Sequence, residues 1–235
     1  SHLMISKNTI HPISIQVKLL MFICLTFTLS ISAQFANYPI ENNLTDTKGG
    51  FDAIYIVEEN DTSIDQASFV TTDGNQGILL GIRNGIKFPL ELSQQLVNGS
   101  SFEFELDFVY LNNGNDQGRK TIFSFKQNDS SNSSGIQVYA TYKDSNQITL
   151  TALWADGRAT YGDGQDYNYS ANLGTYTIGE KISINFSLNF DKATWSILVN
   201  DGYFPFNFDH NFDMEYFKEN MSKSPIYIGW LTELN

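Results

Sequence analysis

Three carboxylates stand at alternate positions in SFEFELDFVY (101–110): Glu103, Glu105 and Asp107. Strand side chains alternate between two faces. As a strand, this segment places the acids on one face and Phe102, Phe104, Leu106 and Phe108 on the other. Two carboxyl groups flanking a glycosidic bond can serve as acid and as nucleophile or base, which is one chemistry open to such a row. Accepting hydrogen bonds from sugar hydroxyls is a second, and a plain polar outer face is a third. A retaining pair sits roughly 5 Å apart and attacks from opposite sides of the sugar. Glu105 and Asp107 on one strand would stand about 6.6–6.8 Å apart by the strand rise and would point the same way.

A second concentration of chemistry lies in LWADGRATYGDGQDYNY (153–169), which gathers Trp154, Arg158, Tyr161, Tyr167 and Tyr169 with Asp156, Asp163 and Asp166. Sugar sites combine aromatic faces with a few orienting polar groups. Trp154, Arg158, Tyr161 and Tyr167 are therefore candidate glycan contacts, with Glu105 and Asp107 as further acceptors. Trp154 also continues the Ile148, Leu150, Ala152 face, so core burial competes with that role. Asp163 and Asp166 are candidate Ca2+ ligands, because a hard cation takes carboxylates and loop carbonyls. Their spacing falls short of a full calcium loop, and a solvated acidic loop fits them equally.

Other catalytic sets are not evident. Of the three histidines, His2 and His11 lie near the N-terminus, and His210 beside Asp209 reads as a surface residue. No Gly-X-Ser-X-Gly nucleophile motif occurs. Eight Asn-X-Ser/Thr acceptors, Asn185 among them, are what chance supplies in an Asn- and Ser-rich chain.

The elements that must hold these residues follow from patterning. Residues 1–4, SHLM, read as a cloning remnant. Residues 5–33 read as a secretory signal, with Lys7 and Lys18 ahead of the apolar stretch LLMFICLTFTLSISA and a cut after Ala33. That apolar stretch is shorter than the ~20 residues a membrane span needs. The expected mature domain is 34–235, secreted or at the cell surface. The signal holds two lysines and no carboxylate, so removing it leaves twelve cationic against 26 acidic residues, a net charge of −14 rather than −12. Nucleic acid and anionic membranes are disfavoured partners on that balance. The one cysteine, Cys24, leaves with the signal, so the mature chain has neither disulfide nor thiol.

Period-2 alternation dominates the rest. KISINFSLNF (181–190) puts Ile182, Ile184, Phe186, Leu188 and Phe190 on one face, and TWSILV follows after a turn. GIQVYATYK (135–143) and QITLTALWA (147–155) flank Asp144-Ser145-Asn146 as a second hairpin. GILLGI (77–82), IKFPL (86–90), TIFSF (121–125) and SPIYIGW (224–230) are further short strands. Only 211–222 has room for helical turns. NDSSNSSG (128–135) reads as a loop between strands, and the turn-rich 155–174 as a functional or disordered loop. The expected fold is an all-β, two-sheet antiparallel sandwich.

The order of these pieces resembles the concanavalin A-like, laminin-G-like jelly roll of secreted bacterial proteins. YPIENNLTDTKGG (38–50) is similar to that family's opening strand and turn. SFEFELDFVY stands where it places its first long core strand. KISINFSLNFDKATWSILVNDG matches its hairpin, and SPIYIGW its late Ile-Gly strand. The family's closing strand has no counterpart before Asn235, which would leave a sheet edge exposed. ELDFVY also resembles the catalytic strand of laminarinase-type glycoside hydrolases. That resemblance assigns Glu105 as nucleophile and Asp107 as helper acid, but the acid/base position falls on Tyr110 or Val109, and neither can act as that acid. The expectation is a secreted, non-catalytic module of a larger surface or polysaccharide-degrading protein that binds a neutral glycan, with Ca2+ at Asp163 and Asp166 as the one candidate cofactor. A polysaccharide hydrolase or lyase and a protein-binding adhesin are the alternatives.

Overall fold

The computed structural model describes residues 4–5, 14–19, 25–30, 43–57, 68–72, 75–80, 84–111, 119–129, 132–156 and 168–229. In chain order the elements are β1 (Met4–Ile5), β2 (Ser14–Leu19), β3 (Leu25–Ser30), β4 (Ile54–Val57), β5 (Ser68–Thr72), β6 (Asn75–Leu79), β7 (Asn84–Lys87), α1 (Leu90–Val97), β8 (Ser101–Val109), β9 (Arg119–Asp129), β10 (Asn132–Asp144), β11 (Gln147–Asp156), β12 (Asn168–Thr177), β13 (Lys181–Asn189), β14 (Thr194–Val199), β15 (Gly202–Asn207), α2 (Met214–Met221) and β16 (Tyr227–Ile228).

Two seven-stranded sheets face each other. Sheet A runs β15-β14-β13-β8-β1-β2-β3, and sheet B runs β12-β11-β10-β9-β16-β7-β4. β5 and β6 form a separate hairpin. Pairing is antiparallel except between β2 and β8. The sandwich expected from period-2 alternation is therefore the fold. Where the two sheets meet, Phe104 of β8 packs edge-on against Phe123 of β9, with ring centroids 4.7 Å apart. Phe186 of β13 lies 5.6 Å from the same Phe123 ring. These apolar faces are what alternation buries, so each strand contributes every second residue to one core.

Four elements differ from the sequence reading. The expected 155–174 loop is cut back at both ends, because β11 runs to Asp156 and β12 begins at Asn168, and the two pair from Ala155↔Asn168 onward. Residues 90–97 are helix rather than strand end. Pro89 cannot donate to a ladder, so it closes β7, and the buried Leu92, Leu96 and Val97 then share one helical face. The run 128–135 is not a long loop, because the β9–β10 ladder continues to the pair Asp129↔Asn132. The late Ile-Gly strand shortens to Tyr227–Ile228. It ends at Gly229, whose φ of +73° and near contact with Leu80 leave no room for a side chain. The expected helical turns at 211–222 are α2. Its N-cap Asp213 accepts the Tyr216 amide, and the fully buried Asp156 accepts the Asp213 amide at 3.1 Å. β1 and β2, from the segment expected to be a leader, flank β8 on the side away from β13. Cleavage after Ala33 would open that edge of β8.

Candidate functional site

Each sheet has one face toward the core and one away from it, and the two outer faces carry different chemistry. On sheet A the acid row takes the predicted outer position: Glu103, Glu105 and Asp107 lie opposite Ser187, Asn185 and Ser183 of β13. Asp107 pairs with Lys181 at 2.9 Å, and Asn185 donates its side-chain N–H to Glu105 at 3.0 Å. Asn185 is thus a structural partner inside a strand. Burial pushes the Glu105 carboxyl up to about 7, helped by the charges of Asp107 and Glu103 and opposed by the Asn185 hydrogen bond. Burial raises Glu103 as well. The row continues outward through Asn185 and Leu198 to Tyr203, which is 64% exposed.

This face does not assemble a glycosidase pair among the described residues. β13 supplies serine and asparagine opposite the acids, so no second carboxylate stands across a bond held there. Tyr110, at the acid/base position of the resembled motif, is 1% exposed and part of the core.

On sheet B the outer face was not singled out from the sequence, and it is the more developed of the two. One row of paired residues crosses the whole sheet: Ile54, Lys87, Tyr227, Ser124, Gln137, Leu153 and Ser170. Exposure falls along it from 56% at Ile54, through half-buried Lys87 and Tyr227, to 1% at Ser124 and 6% at Gln137. It then rises through Leu153 to exposed Ser170. A second row joins Thr121, Tyr139, Thr151 and Asn172, and a third joins Arg119, Thr141, Thr149 and Thr175. A β-bulge between Val138 and Tyr139 swings Thr121 and Arg119 onto this face while Ile122 enters the core.

The groups on this floor are already oriented. Gln137 donates its side-chain N–H to Thr121 Oγ1 at 2.8 Å, which leaves its Oε1 as an acceptor. The exposed Arg119 guanidinium lies 4.0 Å from the Tyr139 ring centroid. Ser124 Oγ is buried without a hydrogen-bond partner. A buried hydroxyl left unpaired costs about 1–3 kcal/mol, and no described residue partners this one. Arg119 and Lys87 make no ion pair among the described residues, and none of the three rows carries a carboxylate.

The residues singled out from the sequence divide accordingly. Glu105 and Asp107 lie together on the outer face of sheet A. Trp154 is corrected to a core residue. It is 8% exposed, stacked on Tyr169 at 5.5 Å and packed against Trp195 and Phe206, because its alternation follows Ile148, Leu150 and Ala152. Its ring faces are taken by other aromatics. Arg158, Tyr161, Asp163, Asp166 and Tyr167 lie outside the described residues. Among the described residues no three His, Cys, Asp or Glu gather to hold a metal ion. His210 is exposed, with Nδ1 3.1 Å from Asp209, as expected of a surface pair. No helix among the described residues is long and apolar enough to cross a membrane.

No protein-family model matches the chain, and no curated protein matches it either. Several solved structures are similar to it in part. Domain 4 of AbnA, a GH43 extracellular arabinanase from Geobacillus stearothermophilus solved with arabinotriose, is 14% identical with a TM-score of 0.48, over 81% of this chain and 80% of that one. A polysaccharide lyase family 18 structure, aly-SJ02 r-CATD, is 14% identical with a TM-score of 0.39, over 74% and 90%. Alginate lyase A1-II', of polysaccharide lyase family 7, is 11% identical with a TM-score of 0.39, over 100% and 87%.

Proposed function

We propose that this chain is a secreted, non-catalytic glycan-binding module with a concanavalin A-like sandwich, and that it holds a polysaccharide along the outer face of sheet B. The observation that carries the reading is the polar row sunk in the middle of that face, Tyr227–Ser124–Gln137, with Tyr139 beside it. A sandwich face meant only for water exposes its polar groups. Here the Gln137 amide keeps an acceptor at the centre of the face and half-buried Tyr227 stands two strands away, a polar group and an aromatic ring of the kinds that sugar sites use to satisfy hydroxyls and stack ring faces. Affinity electrophoresis in gels cast with a panel of polysaccharides tests it. The parent should be retarded by at least one polymer and Tyr227→Ala should migrate freely while melting normally. A parent retarded by none would end the reading and favour a protein-binding adhesin.

A polysaccharide hydrolase is kept as the second reading because Glu105 is held near neutrality, where a carboxyl can act as an acid. Without an opposed carboxylate on β13, the expected result is no reducing-sugar release from β-glucans. Release that disappears in Glu105→Gln would promote the enzyme. From the expected 155–174 segment, Arg158, Tyr161 and Tyr167 are proposed as accessory contacts, with Asp163 and Asp166 as ligands of Ca2+. Chelation should then lower both melting temperature and affinity.

A further inference from the structure

We infer that the polymer held on sheet B is a carboxylated one, a polyuronate, gripped by Arg119 and Lys87 above the Ser124–Gln137 floor; this rests on the glycan-binding reading and names its ligand class. Net charge alone argues for a neutral polymer, since 26 acidic residues outnumber the 14 cationic ones. The charges are segregated, however. The acid row lies on the outer face of sheet A, while the three paired rows of sheet B carry two cations and no carboxylate. Screening at physiological ionic strength acts over about 8 Å, so a polymer lying on sheet B responds to that face rather than to the far side of the sandwich.

The geometry suits a carboxylate. Arg119 lies over the Tyr139 ring at 4.0 Å, and its N–H groups have no ion-pair partner among the described residues. Those N–H groups form the fork that binds a carboxylate in two parallel hydrogen bonds. Lys87 stands in the same row as Tyr227, Ser124 and Gln137, two strands from Ser124. A chain of uronate residues running across the strands would place successive carboxylates toward Arg119 and Lys87. Its hydroxyls would meet the Gln137 acceptor.

The test measures binding of the full chain to polygalacturonate, polymannuronate and polyguluronate, and to methyl-esterified polygalacturonate, arabinan and a β-glucan as neutral polymers. The expected result is binding to at least one polyuronate that weakens with added salt, and loss of roughly tenfold or more in affinity in Arg119→Gln. Lys87→Gln should weaken it too, and both variants should melt like the parent. For polygalacturonate, the ester should bind far more weakly than the acid. Binding confined to neutral polymers, or polyuronate binding unchanged in Arg119→Gln, overturns the inference and leaves the glycan reading standing. No binding to any polymer overturns both.

Discussion

Arg119 caps the ring of Tyr139 from solvent, its guanidinium carbon 4.0 Å from the ring centroid, on the face of sheet B that points away from the core. Tyr139 is 8% exposed but stands outside the core cluster, so its burial comes from its neighbours on that outer face. The pair follows from the β-bulge in the β9–β10 ladder, which brings Arg119 opposite Thr141, next to Tyr139 on the same side. Its energy is small for the fold, because an exposed cation–π contact contributes about 0.5–1 kcal/mol. Arg119→Ala should therefore shift the melting temperature little while removing retardation in polysaccharide gels. A variant that binds as well as the parent would remove Arg119 from the site.

The centre of the sandwich rests on aromatic contacts across the sheets. Phe104 and Phe186 are 3% and 2% exposed and share Phe123. Truncating either to alanine removes most of a buried ring and leaves a cavity, at a cost of about 3–5 kcal/mol. Urea unfolding should show a correspondingly lower midpoint for each. Midpoints within error of the parent would mean that the faces are assigned the wrong way round.

Glu105 ties stability to pH. Its ordinary value is 4.5, and burial with the neighbouring acids raises it to about 7 in the folded chain. Between those values the folded state holds a proton that the unfolded state has released. Stability from this group is therefore lost as pH rises through that window. Glu105→Gln removes the titration, so the variant should gain on the parent from about pH 4.5 to 7 and keep a constant lead above. Melts of both proteins at a series of pH values read this difference directly, and a pH-independent difference would contradict it.

The hairpin between β13 and β14 carries a local strain. Ala193 has φ of +50°, in the left-handed region, and its N–H and C=O are both used, by Phe190 and Phe208. That conformation costs a non-glycine residue about 1–2 kcal/mol. Ala193→Gly should thus stabilise the protein, by about 1 kcal/mol or somewhat less after the extra chain entropy of glycine. A lower melting temperature would show that the alanine methyl, packed at the edge of the core, matters more.

Alternation made the sandwich legible. KISINFSLNF and SFEFELDFVY each declare an apolar face, and both faces are buried as read. The same rule placed the acids of β8 outward and left Trp154 divided between core and site, a question only its packing against Trp195 and Phe206 resolves. The outer face of sheet B was harder to see. Gln137 and Tyr139 alternate with Ile136 and Val138 in plain view, but a polar face is unremarkable until its neighbours are known. Those neighbours come from distant segments: Lys87, Arg119, Ser124 and Tyr227 meet only through strand order. The bulge that turns Arg119 toward Tyr139 leaves no mark in the local pattern. Helix α1 was hidden for a similar reason, because Leu90, Leu92 and Leu96 follow an apparent strand and only Pro89 marks the change.

Hydroxyl-radical footprinting with mass spectrometry, on the chain with and without a bound polysaccharide, tests the central claim most directly. Each outer face carries its own reporters: half-buried Tyr227 and Leu153 on sheet B, and Tyr203 and Leu198, 64% and 38% exposed, on sheet A. Oxidation of Tyr227 and Leu153 should fall on binding while that of Tyr203 and Leu198 stays unchanged. Protection of Tyr203 and Leu198 with Tyr227 unaffected would place the polymer on the acid face instead and contradict the account.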